Sequence, residues 1–222
     1  MWRGTCTDRA VGRAINPDLV FDRGDTIASA IKEFREYKDA YQGRDTWPLD
    51  EVKCEVEEQA LPDYVETACF WYRSLGKPIA YQKRISLELG SLPVPIIGFI
   101  DFQYEDSVRD LKTTARKPSD QISASHARQM AIYAAATKAD RAFLDYVVVN
   151  KSRKEVFVRE VESPLDRMYE VEKIALTISR LLSISADKHE IAALFFPDFE
   201  SWQWSDQDKH FAEKQLFSHN HQ

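Results

Sequence analysis

The residues best able to do chemistry lie in one stretch, residues 95–119, PIIGFIDFQYEDSVRDLKTTARKPS. Asp101 interrupts an apolar run, where an acid is costly unless something pairs with it. A short turn follows, and then Asp110-Leu111-Lys112. Strand alternation puts Asp110 and Lys112 on one face and Leu111 on the other. A hairpin would bring Asp101 beside Asp110. Two carboxylates so placed repel unless a cation separates them. Hard oxygen ligands suit Mg²⁺ or Mn²⁺, and a lysine two residues along can polarise a water as its ammonium or deprotonate it as its amine. The plain alternative is a hairpin with a surface Asp–Lys ion pair, since Asp-x-Lys alone is common. Against it stand Gly98 three residues before Asp101 and the row of phosphate-contacting types after Lys112: Thr113, Thr114, Arg116 and Lys117.

Further on, Gln129 and Tyr133 are four apart in the Ala-rich segment SASHARQMAIYAAA and share one helix face, with His126 near the same stripe. An amide and a phenol aimed at a carboxylate pair can orient a phosphate and a water. A half-buried amphipathic helix with a satisfied tyrosine would read the same way.

The surrounding elements must position these groups. The pattern predicts helices over about 4–15, 25–42 and 50–75, with Asp18 to Asp22 as a turn, GRDTWPLD as a break and Pro62 as a kink point. Gly76 and Pro78 end the third helix. Period-2 alternation begins at Tyr81 and runs to Leu89; strands over 96–104 and 108–114 follow. Next come a helix over 121–138, the strand RAFLDYVVVN and its hairpin partner EVFVREV. Ser163 is expected to cap a long helix, with Pro164 in its first turn and Asp166 in the capping-box position. An aromatic tail, with one more helix ending near Phe217, closes the chain. The expected architecture is one domain over 1–222, with a core at about 3–185 and an extension from 186: an α/β fold with a central mixed sheet flanked by helices.

In this order, Gly98-Phe99-Ile100-Asp101, Asp110-Leu111-Lys112-Thr113 and Gln129-Met130-Ala131-Ile132-Tyr133 resemble the motif series of the PD-(D/E)XK nuclease superfamily, in its RecB-type and phage-exonuclease branch. The resemblance spans about residues 3–150 and implies a restriction-endonuclease-like core. It implies Mg²⁺- or Mn²⁺-dependent hydrolysis of DNA, most plainly by an exonuclease of recombination, repair or phage DNA processing. Asp101, Asp110, the Leu111 carbonyl and Asp8 would hold metal; Lys112, Gln129 and Tyr133 would join Asp101 and Asp110 in catalysis. Thr113, Thr114, Arg116 and Lys117 would bind the DNA backbone. Asp8 is assigned from Arg3-Gly4-Thr5-Cys6-Thr7-Asp8, where relatives more often carry His; a first-turn acid facing the helix dipole is the other reading. Relatives carry a helix ahead of this segment, which implies that the chain starts late or is truncated relative to them. Many also bind an iron–sulfur cluster through C-terminal cysteines. Here Ser201-Trp202-Gln203-Trp204-Ser205 has none, so no cluster is expected. A second copy of the chain, or a recombination or repair protein, is the kind of partner implied. A non-catalytic DNA-binding or assembly module of the same fold and a structure-specific endonuclease stay open as alternatives.

Composition narrows the rest. The 222 residues carry 36 acidic and 30 basic side chains, a net charge of −6, which argues against a general polyanion-coating protein but not against a local basic groove. No apolar run is long enough for a membrane span, and the N-terminus has no signal core, so a cytoplasmic protein of a bacterial or phage-infected cell is expected. Cys6, Cys54 and Cys69 lack zinc spacing and read as buried, reduced thiols. Glu66 and Glu88 read as solvated acids. Trp202 and Trp204 read as packing more than base stacking, and His219 and His221 as tail.

Overall fold

The computed structural model describes residues 2–16, 20–41, 49–201, 204 and 206–217. Asp18, most of the GRDTWPLD break, Trp202, His219 and His221 lie outside the described residues. The chain divides into two compact units, one of Met1–Leu89 with Val94–Val171, the other of Gly90–Pro93 with Glu172–Gln222.

The first unit opens with α1 (Trp2–Ala14), α2 (Arg23–Tyr41) and α3 (Glu51–Ser74). Asp50 caps α3 by accepting from the Lys53 N–H, and the helix runs unbroken through Pro62. Strands β1 (Ala80–Leu87), β2 (Ile96–Gln103), β3 (Ser107–Thr114), β4 (Arg141–Asn150) and β5 (Arg153–Glu160) form one sheet in the order β1-β2-β3-β4-β5. Only β3 and β4 pair in parallel. A parallel pair needs a crossover, and α4 (Ala124–Thr137) supplies it, capped by Ser123 at its start and by left-handed Lys138 at its end.

The sheet is covered on both faces. One carries the core of α1, α2 and α3, with Phe102, Leu111, Val147 and Val149. The other carries the core under α4, with Ile85, Ile100, Val108 and Leu144. The expected mixed sheet flanked by helices is what the chain forms. Under the three-helix layer, Arg109 of β3 donates to both oxygens of fully buried Asp145 of β4 at 2.8 and 3.0 Å.

Ser163 departs from expectation. Its φ is 44° and its side chain makes no capping bond; Pro164–Arg167 form a 3-10 turn and α5 (Met168–Leu182) starts only after it. A capping residue takes extended backbone, and left-handed Ser163 cannot aim its hydroxyl at the first free N–H groups. In the second unit, α6 (Lys188–Ala192) was not foreseen, while α7 (Asp206–Gln215) was. There Trp204 donates its indole N–H to the Asp198 carbonyl and its ring lies 5.2 Å from that of Phe199, so it packs rather than waiting for a base.

Candidate active site

The site forms where the sheet forks. The ladder between β2 and β3 holds only Phe102↔Arg109 and Gln103↔Val108. Beyond it the strands part, and Asp101 stands at the fork. Its Oδ2 accepts from the Leu111 N–H at 2.9 Å, so a side chain takes up a donor the ladder leaves free.

A second irregularity faces it. Gln82 stands across from Asp101 between the register pairs Tyr81↔Phe102 and Lys83↔Ile100, and it has φ 48°. For a residue with a Cβ this left-handed conformation costs roughly 1 kcal/mol or more. Both strands change face there. Phe102 belongs to the three-helix core, yet Ile100, two residues away, belongs to the core under α4. Plain alternation would put both on one side. The Gln82 amide donates to Asp101 Oδ1 at 3.0 Å and to Asp8 Oδ2 at 2.7 Å.

Asp8 comes from α1. That helix begins at Trp2, so Asp8 is past the first turn and the helix-dipole reading fails. Gly4, Asp8 and Gly12 recur every four residues and form one stripe. A Cβ on Gly12 would stand 2.3 Å from Cζ of Tyr81. Its absence lets the Tyr81 ring lie against the helix, where its hydroxyl is 3.1 Å from the Asp8 carbonyl and 3.2 Å from Asp8 Oδ2. A cavity of about 540 Å³ opens here, lined by residues that include Asp8, Arg9, Gln82, Asp101 and Leu111.

Asp110 and Lys112 share a face as expected, with Lys112 Nζ 2.5 Å from Asp110 Oδ2. From α4, Gln129 donates to Asp110 Oδ1 at 3.1 Å and to the Tyr133 hydroxyl at 2.9 Å, and accepts from Lys112 at 3.4 Å. Tyr133 is buried, and its ring belongs to the core. A Cβ on Gly98 would lie 3.3 Å from that ring, so the glycine of one motif makes room for the tyrosine of another. His126 is bonded to the Tyr146 hydroxyl at 3.1 Å.

The electrostatics show unmet negative charge. Burial, then Asp110 and Asp8, push the Asp101 carboxyl up to about 8. Burial pushes Asp8 up to about 6 against the hydrogen bonds from Tyr81 and Gln82. Burial also raises Asp110, with Lys112 opposing it. Asp8 Oδ1 is buried with no hydrogen-bond partner. Among the described residues no three His, Cys, Asp or Glu side chains already form a metal cage. Gln82 instead bridges Asp8 and Asp101, and Lys112 holds Asp110. Three mutually repelling carboxylates, Asp110 buried and Asp8 and Asp101 half-buried, with an unpartnered oxygen fit a hard divalent cation.

The row after Lys112 is less free than its residue types imply. Arg3 donates to Thr113 Oγ1 and to its carbonyl, and Thr114 Oγ1 closes a local turn by accepting from the Arg116 N–H. Arg116 and Lys117 are exposed. The cysteines are free and buried; burial raises Cys6 to about 11 and Cys69 to about 12, so neither is a ready thiolate.

A mixed five-stranded sheet with an acid at its fork, and an Asp-x-Lys strand beside it, gives an α/β fold with a carboxylate-rich candidate site at its forked edge. The chain belongs to the PD-(D/E)XK nuclease superfamily, whose family model matches residues 14–203. Asp8 lies ahead of the matched segment. No curated protein matches the chain. A solved structure described as the crystal structure of SSO0001 aligns at 14% identity over 87% of this chain and 95% of its own, with a TM-score of 0.40. Members of the superfamily are generally nucleases and typically use divalent metals. Among the described residues no helix is long and apolar enough to cross a membrane.

Proposed function

We propose that the chain is a Mg²⁺- or Mn²⁺-dependent deoxyribonuclease of the RecB-type and phage-exonuclease branch, acting on linear DNA in recombination, repair or phage DNA processing. The observation that carries this is the meeting of Asp101, Asp110 and Lys112 at the β2–β3 fork, with Gln129 reaching both Asp110 and Lys112. Asp101, Asp110 and the Leu111 carbonyl would hold one or two divalent ions, with Asp8 as a further oxygen. When bound, such an ion supplies a Lewis acid for the scissile phosphate and lowers the pKa of a coordinated water. Lys112 positions the attacking water and offsets charge growing on the phosphate oxygens. Gln129 fixes the Lys112 ammonium and one oxygen of Asp110, and Tyr133 fixes Gln129. Arg116 and Lys117, with Thr113 and Thr114, hold the DNA backbone, which favours little sequence preference.

The test is a digestion time course on end-labelled linear DNA, with Mg²⁺ and with chelator. Metal-dependent loss of label is expected. No cleavage of any linear DNA in Mg²⁺ or Mn²⁺ would leave only the non-catalytic binding module.

A further inference from the structure

Past Asp101 the paired β1 and β2 continue as a two-stranded ribbon, since β1–β2 pairing extends to Leu87↔Ile96 while β2–β3 pairing has ended. One face of the ribbon is covered: Ile85 and Ile100 are buried under α4 and Gly98 abuts Tyr133. The other face is bare. It carries Arg84, Ser86, Ile97 and Phe99, all exposed, with Phe99 at 54% and Ile97 at 44%. Arg84 and Phe99 are direct register partners. Arg84 makes no ion pair among the described residues.

We propose that this bare face is a platform for an unpaired DNA strand, with a base stacked on Phe99 and the neighbouring phosphate held by Arg84. The inference deepens the nuclease reading, and rests on it, by naming single-stranded DNA as the substrate class beside the cut site. Position comes first: Phe99 precedes Asp101 by two residues, about 7 Å along a strand, so a strand whose phosphate reaches the carboxylates passes the ring. Chemistry comes next. An exposed aromatic ring beside an unpaired guanidinium matches a ligand offering a flat π face and an anion together, as a nucleotide does. A duplex does not offer that face, because its bases are stacked on each other; an unpaired strand does. The covered face, finally, is anchored in the core, so the platform is held rigidly relative to Asp101.

The experiment is fluorescence anisotropy of the full chain in chelator, so that binding is read without cleavage or metal. The probes are an oligothymidine of about 20 nucleotides and a blunt duplex of similar length, long enough for a single-strand site of ordinary size. Phe99→Ala should weaken oligothymidine binding roughly tenfold and leave duplex affinity within about twofold. Phe99→Trp should bind like wild type, which separates lost stacking from lost fold. Arg84→Ala should reduce the slope of log affinity against log salt by about 0.7. Phe70→Ala, at a still more exposed aromatic on α3, should change nothing. Unchanged oligothymidine binding by Phe99→Ala overturns the proposal, as does an equal loss on both probes. So does loss of self-association in sedimentation with binding intact, which would make the face an interface between copies. Failure of wild type to digest any DNA, with this binding pattern present, defeats the nuclease reading and not the platform. Digestion by wild type, with Phe99→Ala binding normally, defeats the platform alone.

Discussion

At the residue scale the site is a balance between one buried and two half-buried acids and the few groups that hold them. Asp110→Asn removes the negative charge proposed to hold a metal, and Lys112→Ala removes the ammonium beside it. Each should lower turnover at least about a hundredfold, with the circular dichroism spectrum retained. Near-normal digestion by either variant would end the assignment. Asp101 adds a pH dependence whose sign follows from its carboxyl being pushed up to about 8. A raised folded-state pKa favours the fold below the unfolded value, near 4, and that contribution is lost as pH rises through about 8. Without metal, Asp101→Asn should therefore melt above wild type at pH 8, and the gap should close toward pH 4. Mn²⁺ should reverse the order by stabilising wild type more. Melting curves across this range decide it, and a gap that does not change with pH would show that Asp101 carries no buried charge. Tyr133→Phe keeps the buried ring and loses only the bond to Gln129. It should melt within about 1 kcal/mol of wild type and still cleave more slowly, because Gln129 is freed from its place between Asp110 and Lys112. Equal specific activity would make the hydroxyl structural.

At the element scale, α1 and the strand ends meet through absent side chains and irregular backbone. Gly12→Ala would gain helix propensity of up to about 1 kcal/mol. It would also drive a methyl group into the Tyr81 ring, since the Cβ would stand 2.3 Å from Cζ. A net loss of roughly 1–3 kcal/mol is expected, read by urea unfolding; a stabilised variant would show that the ring yields freely. The β3–β4 pair depends on a different interaction. Arg109→Met leaves the Asp145 carboxylate buried and unpaired, which should cost roughly 3–5 kcal/mol. Adding Asp145→Leu should recover most of that loss, because an apolar pair of similar volume removes the stranded charge. If the double variant is no better than the single, the ion pair is needed for more than neutralising Asp145.

At the scale of the whole molecule, a net charge of −6 means that DNA must be held by local features. The exposed cations Arg116 and Lys117 follow β3, and Arg84 lies on the ribbon of β1 and β2. Binding of this kind is steep in salt, with a slope that counts few contacts. The exonuclease reading predicts that linear DNA disappears from its ends while a covalently closed circle survives in the same tube. Gel analysis of the mixture checks this, and nicking or linearisation of the circle would assign an endonuclease instead.

The sequence by itself determined the order of the strands and longer helices and most of their boundaries, because helical and strand periodicities differ and Gly76, Pro78 and the turns punctuate them. It also placed Asp110 and Lys112 on one face, since alternation within a regular strand is local. Ser163 departs from the capping pattern because its backbone is left-handed, where a cap needs it extended. Asp101, Gln82 and Asp8 form a contact set that no local pattern contains. It needs left-handed backbone at Gln82 and a strand pair that changes face there, and alternation reads Gln82 as one more outward polar residue. Gly98 and Tyr133, or Gly12 and Tyr81, likewise fit each other only once distant segments are packed. Residue type and spacing set which groups could do chemistry. Tertiary packing decided which oxygen faces which donor, because burial and non-local hydrogen bonds arise only when α1, α4 and the forked sheet come together.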